Sequence, residues 1–376
     1  MTNDELLSKT ISYLRFPLSV AIVFIHFSIA EGINIEGKTV GAENPEWFVF
    51  IVNFISQALA RIGVPLFFLI SGFLFFYRSD FNKDVYKRKL RSRARTLLIP
   101  FILWNTIAVL WQLKCFLPGF SSFFHPVEIR FSLVRLFHTY FCYTYHSGII
   151  IGPPYFFDDW LYPIDCPLWF VRDLMVMVVI SPVIYWVLKR RGFWPVIFLG
   201  LIWFFLLVIP RGMGYYNQLM TAAFFFSWGA YYSILSKNFV ISFRSLKYAP
   251  VIYIFIAILD ALTKERLYND YIHYIGILFG IVSAVVIVSY LIESEKVKVN
   301  KTLANSSFFI YALHYMFIRD LGKLIFVYFR VPSDNPYAML ALYFVVPILS
   351  TLICLGLYVL LKTYLPRFCN LLTGGR

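Results

Sequence analysis

The chain has 376 residues, of which 60% are hydrophobic and 14% charged, with a mean hydropathy of +0.72 and a net charge of +14. A soluble domain carries about a quarter charged residues, so the composition excludes a soluble enzyme and indicates an all-α, polytopic membrane helix bundle. In such a chain a basic excess follows from the cytoplasmic bias of Lys and Arg, and no nucleic-acid partner is expected.

The first apolar run, 11–30, contains RFPLSVAIVFIH, from Arg15 to His26. Ionisable groups inside a bilayer are costly and mark function. Eleven residues at about 100° each make about three turns, so both side chains lie on nearly one face, roughly 16 Å apart along the axis. Ser28-Ile29-Ala30 loosely resembles a cleavage site, but Asp4, Glu5, Pro17 and His26 argue for a retained helix rather than a secretory leader.

The second run, 47–77, is interrupted by Arg61, Gly63 and Pro65 and is expected to kink. Arg61 is too deep for an anchor and is expected to face a polar cavity or an acidic partner. Ser71-Gly72 reads as a small-residue packing notch. The following KDVYKRKLRSRAR, 83–95, holds seven cations in thirteen residues. It reads equally well as an anchor on anionic headgroups and as a phosphate site of Arg forks and Lys charges.

Further runs at 96–117, 168–188, 193–210, 216–235, 246–263, 271–292, 304–328 and 337–361 bring the expected membrane helices to about ten. Dense Lys/Arg clusters fall in every second connection (78–95, 189–192, 236–247, 293–303), which places both termini in the cytoplasm. Segment 118–167, about fifty residues rich in Tyr and Phe, is the one sizeable extramembrane piece and is expected to be extracytoplasmic, with interfacial or re-entrant helices. No boundary divides the chain, so 1–376 is read as one domain.

Five cysteines form no CxxC cluster, and whether Cys142 and Cys166 pair is open. His125, His138 and His146, with Asp158 or Asp159, have no metal-site spacing, and no metal is expected. Arg172 and Asp173, after Trp169 and Phe170, read as interfacial residues. His314 falls in the middle of its run, either as a hydrogen-bonded core residue or as a cavity partner of His26. Gly-rich nucleotide loops, GxSxG and HExxH are absent from the sequence, which argues against the commoner NTPases and hydrolases.

Five blocks in order resemble the membrane-bound acyltransferase family 3, the bacterial O-acyltransferases of surface glycans: Arg15 with His26, GVPLFFLISGF (63–73), YKRKLRSRARTLLIP, PLWF (167–170) and FFIYALH (308–314). The resemblance implies an acyl-CoA-dependent O-acyltransferase of the inner (plasma) membrane. It would move an acyl group, most simply acetyl, from cytoplasmic acyl-CoA, a co-substrate rather than a bound cofactor, to a sugar hydroxyl of a surface or lipid-linked glycan. By position, His26 is the catalytic base and Arg15 its companion. Arg61, Ser71, Lys87, Arg88, Arg91, Arg93 and Arg95 would serve the donor, with Arg61 or Ser71 as oxyanion donor. Trp169, Tyr311 and His314 are candidates for the acceptor or a second site. A homo-oligomer or a partner from envelope biosynthesis stays open, as does a covalent acyl relay. The alternative function is a transporter or flippase of a glycan or lipid-linked substrate, with Arg15, Arg61 and His314 along its path.

Overall fold

A computed structural model describes residues 1–35, 38–41, 43–112, 140–141, 162–205 and 214–375. Among the described residues, the regular structure is helical apart from a short antiparallel ribbon, β1 (Ile33–Ile35) with β2 (Lys38–Val40). Most of segment 118–167, with Cys142, the three outer histidines and Asp158 and Asp159, lies outside the described residues.

Helix α1 spans Asn3–Ile25. The Thr2 side chain caps it by accepting from the Glu5 amide at 3.2 Å, and Asp4 and Glu5 complement the positive end of the helix dipole. Asn82, Asn238, Asn300 and Asn335 cap four later helices in the same way, which explains why those helices begin where they do.

The second run forms α2 (Glu46–Val52), a π turn (Asn53–Leu59), a 3-10 turn (Ala60–Ile62) and α3 (Gly63–Phe76). The expected interruption is thus a change of helix type, which rotates the side chains of 53–62 relative to a straight helix. Ser56 in the π turn donates to the Phe24 carbonyl (2.8 Å) and pairs with the Tyr343 hydroxyl (2.7 Å). The basic segment is α4 (Lys83–Arg93), joined by a second π turn (Ala94–Leu98) to α5 (Ile99–Gln112).

A 3-10 turn (Cys166–Leu168) leads into α6 (Trp169–Arg191), which ends on Lys189, Arg190 and Arg191 before Gly192 at φ +61. There follow α7 (Trp194–Phe205), α8 (Gly214–Ile234), α9 (Phe239–Arg244), α10 (Ala249–Leu262), α11 (Asn269–Glu293), α12 (Lys301–Tyr328), α13 (Pro336–Tyr364) and α14 (Pro366–Thr373).

Among the described residues six helical stretches, rather than the expected ten, have the length and composition to cross a membrane: Asn3–Ile25, Glu46–Phe76, Lys83–Trp111, Cys166–Arg191, Asn269–Glu293 and Pro336–Tyr364. Two more apolar helices, Trp194–Phe205 and Ala249–Leu262, are shorter. The outer faces of α6, α10 and α13 present Val183, Trp186, Phe255, Leu259, Ile348 and Leu352 to the surroundings. Apolar surface of this extent belongs against lipid, and the chain is a multi-pass membrane protein.

Helices α3 and α8 meet at backbone distance. A Cβ on Gly72 would collide with the Phe226 carbonyl, and one on Gly229 with the Leu69 carbonyl, so the Ser71-Gly72 notch is used for packing. Helix α1 lies at the centre, against α3, α11, α12 and α13. It runs parallel to α12: the Arg15 end meets Asn305 and Ser307, and the His26 end meets His314 and Tyr315.

Candidate active site

Two polar sites share the α1–α12 seam. The first is a cavity of about 140 Å³ lined by Arg15, Ser71, Arg93, Asn305, Ser307 and Tyr311 among apolar neighbours. Arg15 and Ser19 come from one face of α1, and Ser19 donates to the Arg15 carbonyl at 3.1 Å. Arg93 enters because positions 86, 89 and 93 form the inward side of α4, while Lys87, Arg88 and Arg91 are exposed, as is Arg95 in the π turn. Lys89, another of the 87–95 cations expected on the donor path, sits one turn from Arg93 on the inner side. Its ammonium donates to the Phe75 carbonyl and lies 5.0 Å from the Phe75 ring; Arg93 lies 6.0 Å from the same ring. Of the cations in the basic segment, the structure brings Arg93 alone into this cavity with Arg15 and Ser71.

The second site is at the other end of the seam. The His26 and His314 rings are 5.3 Å apart, and the Tyr315 ring is 5.0 Å from His26. His26 is half-buried, at the C-cap of α1 where the helix gives way to an open turn. His314 is fully buried. Its Nδ1 lies 3.0 Å from the Ile310 carbonyl, an acceptor only, so Nδ1 carries the proton. The Nε2 atom therefore keeps a lone pair, and it has no partner among the described residues.

Arg61 and Arg319 both lie within electrostatic reach of His26. Arg319 packs over the Tyr315 ring at 5.8 Å. The structure therefore places Arg61 at the His26 end of the seam and not in the Arg15 cavity. Its guanidinium bonds Gln57 Oε1, one turn back through the π turn, with Nε at 2.9 Å.

Tyr311 stands between the two sites. It lines the Arg15 cavity, and its hydroxyl donates to the Pro167 carbonyl of the 3-10 turn. That turn carries Asp165 and Cys166. Cys166 is buried and in no disulfide. Asp165 is wholly buried, with neither carboxyl oxygen partnered among the described residues. Its amide donates to Asn105 Oδ1 at 3.2 Å, tying the turn to α5. Trp169 packs half-buried against Phe68 at 6.0 Å, on the wall of the bundle.

Arg172 and Asp173 are not interfacial, as their place after PLWF suggested. Both are fully buried and paired at 2.8 Å, and Arg172 also donates to the Phe141 carbonyl and to Gln218 Oε1, each at 3.0 Å. A buried guanidinium needs these acceptors to offset its lost hydration. Tyr162 lies within electrostatic reach of both Arg172 and Arg61.

Missed altogether from the sequence was a cluster joining α10 and α11. Asp260, 2% exposed, accepts from Lys264 (3.3 Å) and Asn269 (2.9 Å) on Oδ1, and pairs with His273 Nδ1 at 2.7 Å on Oδ2. Among the described residues no group of three His, Cys, Asp or Glu side chains converges as a metal site.

A family model described as an acyltransferase domain, Acyl_transf_3, matches residues 9–359. The chain is 26% identical over 398 residues to the succinoglycan biosynthesis protein ExoH of Rhizobium meliloti (strain 1021), an alignment covering 99% of this chain and 94% of that protein. No solved structure matches the chain.

Proposed function

The chain belongs to the membrane-bound acyltransferase family 3, and from that premise we propose that it transfers an acyl group, acetyl in the simplest case, from acyl-CoA to a sugar hydroxyl of a surface or lipid-linked polysaccharide in the plasma membrane. The likeness to a protein named for succinoglycan biosynthesis supports a polysaccharide acceptor.

The observation that carries the mechanism is the division of labour along α1. One helix puts Arg15 in a cavity with Arg93 and Ser71, and puts His26 beside His314 about three turns further on. The cavity is far smaller than a whole CoA, so it takes the acyl end of the donor, while the nucleotide phosphates stay outside against the basic face of α4. On this reading the Arg15 end is cytoplasmic. The thioester passes Tyr311 to reach the histidine pair.

There, neutral His26 accepts the proton of the sugar hydroxyl as its oxygen attacks the thioester carbonyl, a step to which a positioned base typically contributes 10²–10⁴-fold. Negative charge gathers on the carbonyl oxygen in the field of Arg61 and Arg319. The carbon–sulfur bond then breaks, the ester forms, and CoA leaves as a thiolate that takes up the proton held by His26. The buried, fixed tautomer of His314 gives His26 a neighbour, 5.3 Å away ring to ring, whose unpartnered Nε2 lone pair accepts its proton.

The test is acetyl-CoA consumption and ester formation on a surface polysaccharide by purified protein in lipid nanodiscs. His26→Ala and Arg15→Ala are expected to lose acyl transfer while keeping their thermal transitions. Full activity in both folded variants overturns the proposal.

A further inference from the structure

Among the described residues, Arg61 is a cation without a hydrogen-bonded or ion-paired acidic partner. Its hydrogen bonds in the structure go to the neutral Gln57. The carboxylate within its electrostatic reach, Asp260, already has both oxygens engaged, by Lys264 and Asn269 on one side and His273 on the other. Arg61 is nonetheless accessible, and α10 packs against the turn just before it, with the Tyr253 hydroxyl donating to the Ala58 carbonyl at 3.3 Å. Lys264 adds a second charge within reach of Arg61, partly accessible itself. Asp270 answers part of the Lys264 charge but leaves the guanidinium alone.

An uncompensated guanidinium inside a membrane protein is expensive unless something anionic visits it. Its planar donors match a carboxylate or a phosphate. Arg61 lies within electrostatic reach of the proposed base and outside the Arg15 cavity at the other end of the seam, so the visiting anion arrives with the acceptor and not with the CoA phosphates.

We propose that Arg61, held by Gln57 and backed by Lys264 of the Asp260–His273 cluster, is an anion subsite that recognises a negatively charged group on the glycan acceptor. The chain thereby selects acidic over neutral acceptors at His26. Asp260 is the positioning residue. It fixes Lys264, Asn269 and His273 across the α10–α11 junction and balances the local charge without occupying the Arg61 donors. This inference rests on the acyltransferase reading of the His26 end.

The anion has two chemical sources, a sugar carboxylate or the diphosphate of a lipid carrier. The experiment measures acyl transfer from acetyl-CoA, in nanodiscs, to three acceptors: a glucuronate-containing tetrasaccharide, its carboxyl-reduced neutral counterpart, and the neutral tetrasaccharide on a polyprenyl diphosphate. Wild type is expected to favour one anionic acceptor over the neutral one by about tenfold to a hundredfold in kcat/KM, the size of one charged hydrogen-bonded contact. Preference for the first identifies a carboxylate subsite and preference for the third a diphosphate subsite; either supports the proposal. Arg61→Gln is expected to collapse the ratio, chiefly through KM for the anionic acceptor. Lys264→Gln should lower it less.

Equal use of all three acceptors by wild type overturns the proposal. So does an Arg61→Gln protein that keeps the wild-type ratio between anionic and neutral acceptors, whatever both lose in kcat, as the oxyanion role alone would require. A wild type that consumes acetyl-CoA with none of them, nor with native polysaccharide, fails the acyltransferase reading instead.

Discussion

The imidazole of His26 lies 5.3 Å from that of His314, and the two belong to parallel helices almost three hundred positions apart in the chain. Their surroundings differ: His26 is half-buried at a helix end, and His314 is sealed in the core with its Nδ1 proton committed to Ile310. If they act as one unit, their losses cannot add. His26→Ala is expected to lower kcat by about 10²–10⁴-fold. His314→Ala should cost less, and the double variant no more than His26→Ala alone. Single-turnover acyl transfer by the three purified variants checks this; fully additive losses would show that the two rings work independently.

The donor end offers a contrast within one short helix. Arg93 reaches the cavity that Arg15 and Ser71 line, while Arg88 and Arg91 face outward. An enclosed charge contact is worth more than an exposed one, which water and salt screen. Arg93→Gln is therefore expected to raise the KM for acetyl-CoA by about tenfold or more, and Arg91→Gln by less, with an effect that fades in high salt. Initial rates at low and high ionic strength decide the point.

Much of this was legible in the sequence, and the failures have physical reasons. Apolar runs and cationic connections locate helices because hydrocarbon tolerates little else. The interruption at Arg61, Gly63 and Pro65 announced a bend, but the π turn that carries Gln57 and Ser56 depends on contacts to Phe24 and Tyr343, far away in the chain. Arg172 and Asp173 looked interfacial because their acceptors, the Phe141 carbonyl and Gln218, come from other segments. Asp260 and His273 are thirteen residues apart on different helices, so no periodicity links them. The cation count in 83–95 was plain, but which cations turn inward is set by how α4 lies on α3 and α6.

The Arg172–Asp173 pair separates stability from activity. Removing one member of a buried ion pair strands the other and costs about 3–5 kcal/mol, whereas replacing both by apolar residues of similar volume is often near neutral. Arg172→Met alone and Asp173→Leu alone are each expected to lower the unfolding temperature in detergent, and the double variant to recover much of the loss. Losses that simply add in the double variant would show that Gln218 and the Phe141 carbonyl, rather than the pair, hold Arg172 in place.

Gly229 and Gly72 set how closely α8 and α3 approach, and the atoms facing them are backbone carbonyls of the opposite helix. A backbone atom cannot swing aside as a side chain can, so an added methyl has to push the helices apart. Overpacking of this kind costs about 1–3 kcal/mol and more when the frame is rigid. Ser71, next to Gly72, lines the donor cavity, and Phe226, opposite Gly72, lines it too. Separation of the two helices therefore reshapes that cavity as well as weakening the bundle. Gly229→Ala is expected to lower the thermal transition and to raise the KM for acetyl-CoA together. Gly356, where a Cβ meets nothing within 4 Å, supplies the control: Gly356→Ala should leave both unchanged or raise the transition slightly, since alanine favours a helix over glycine by about 1 kcal/mol. Thermal shifts and donor saturation curves on the same preparations test the coupling; a Gly229→Ala protein that unfolds early but binds donor normally would place the cavity wall outside the control of this helix contact.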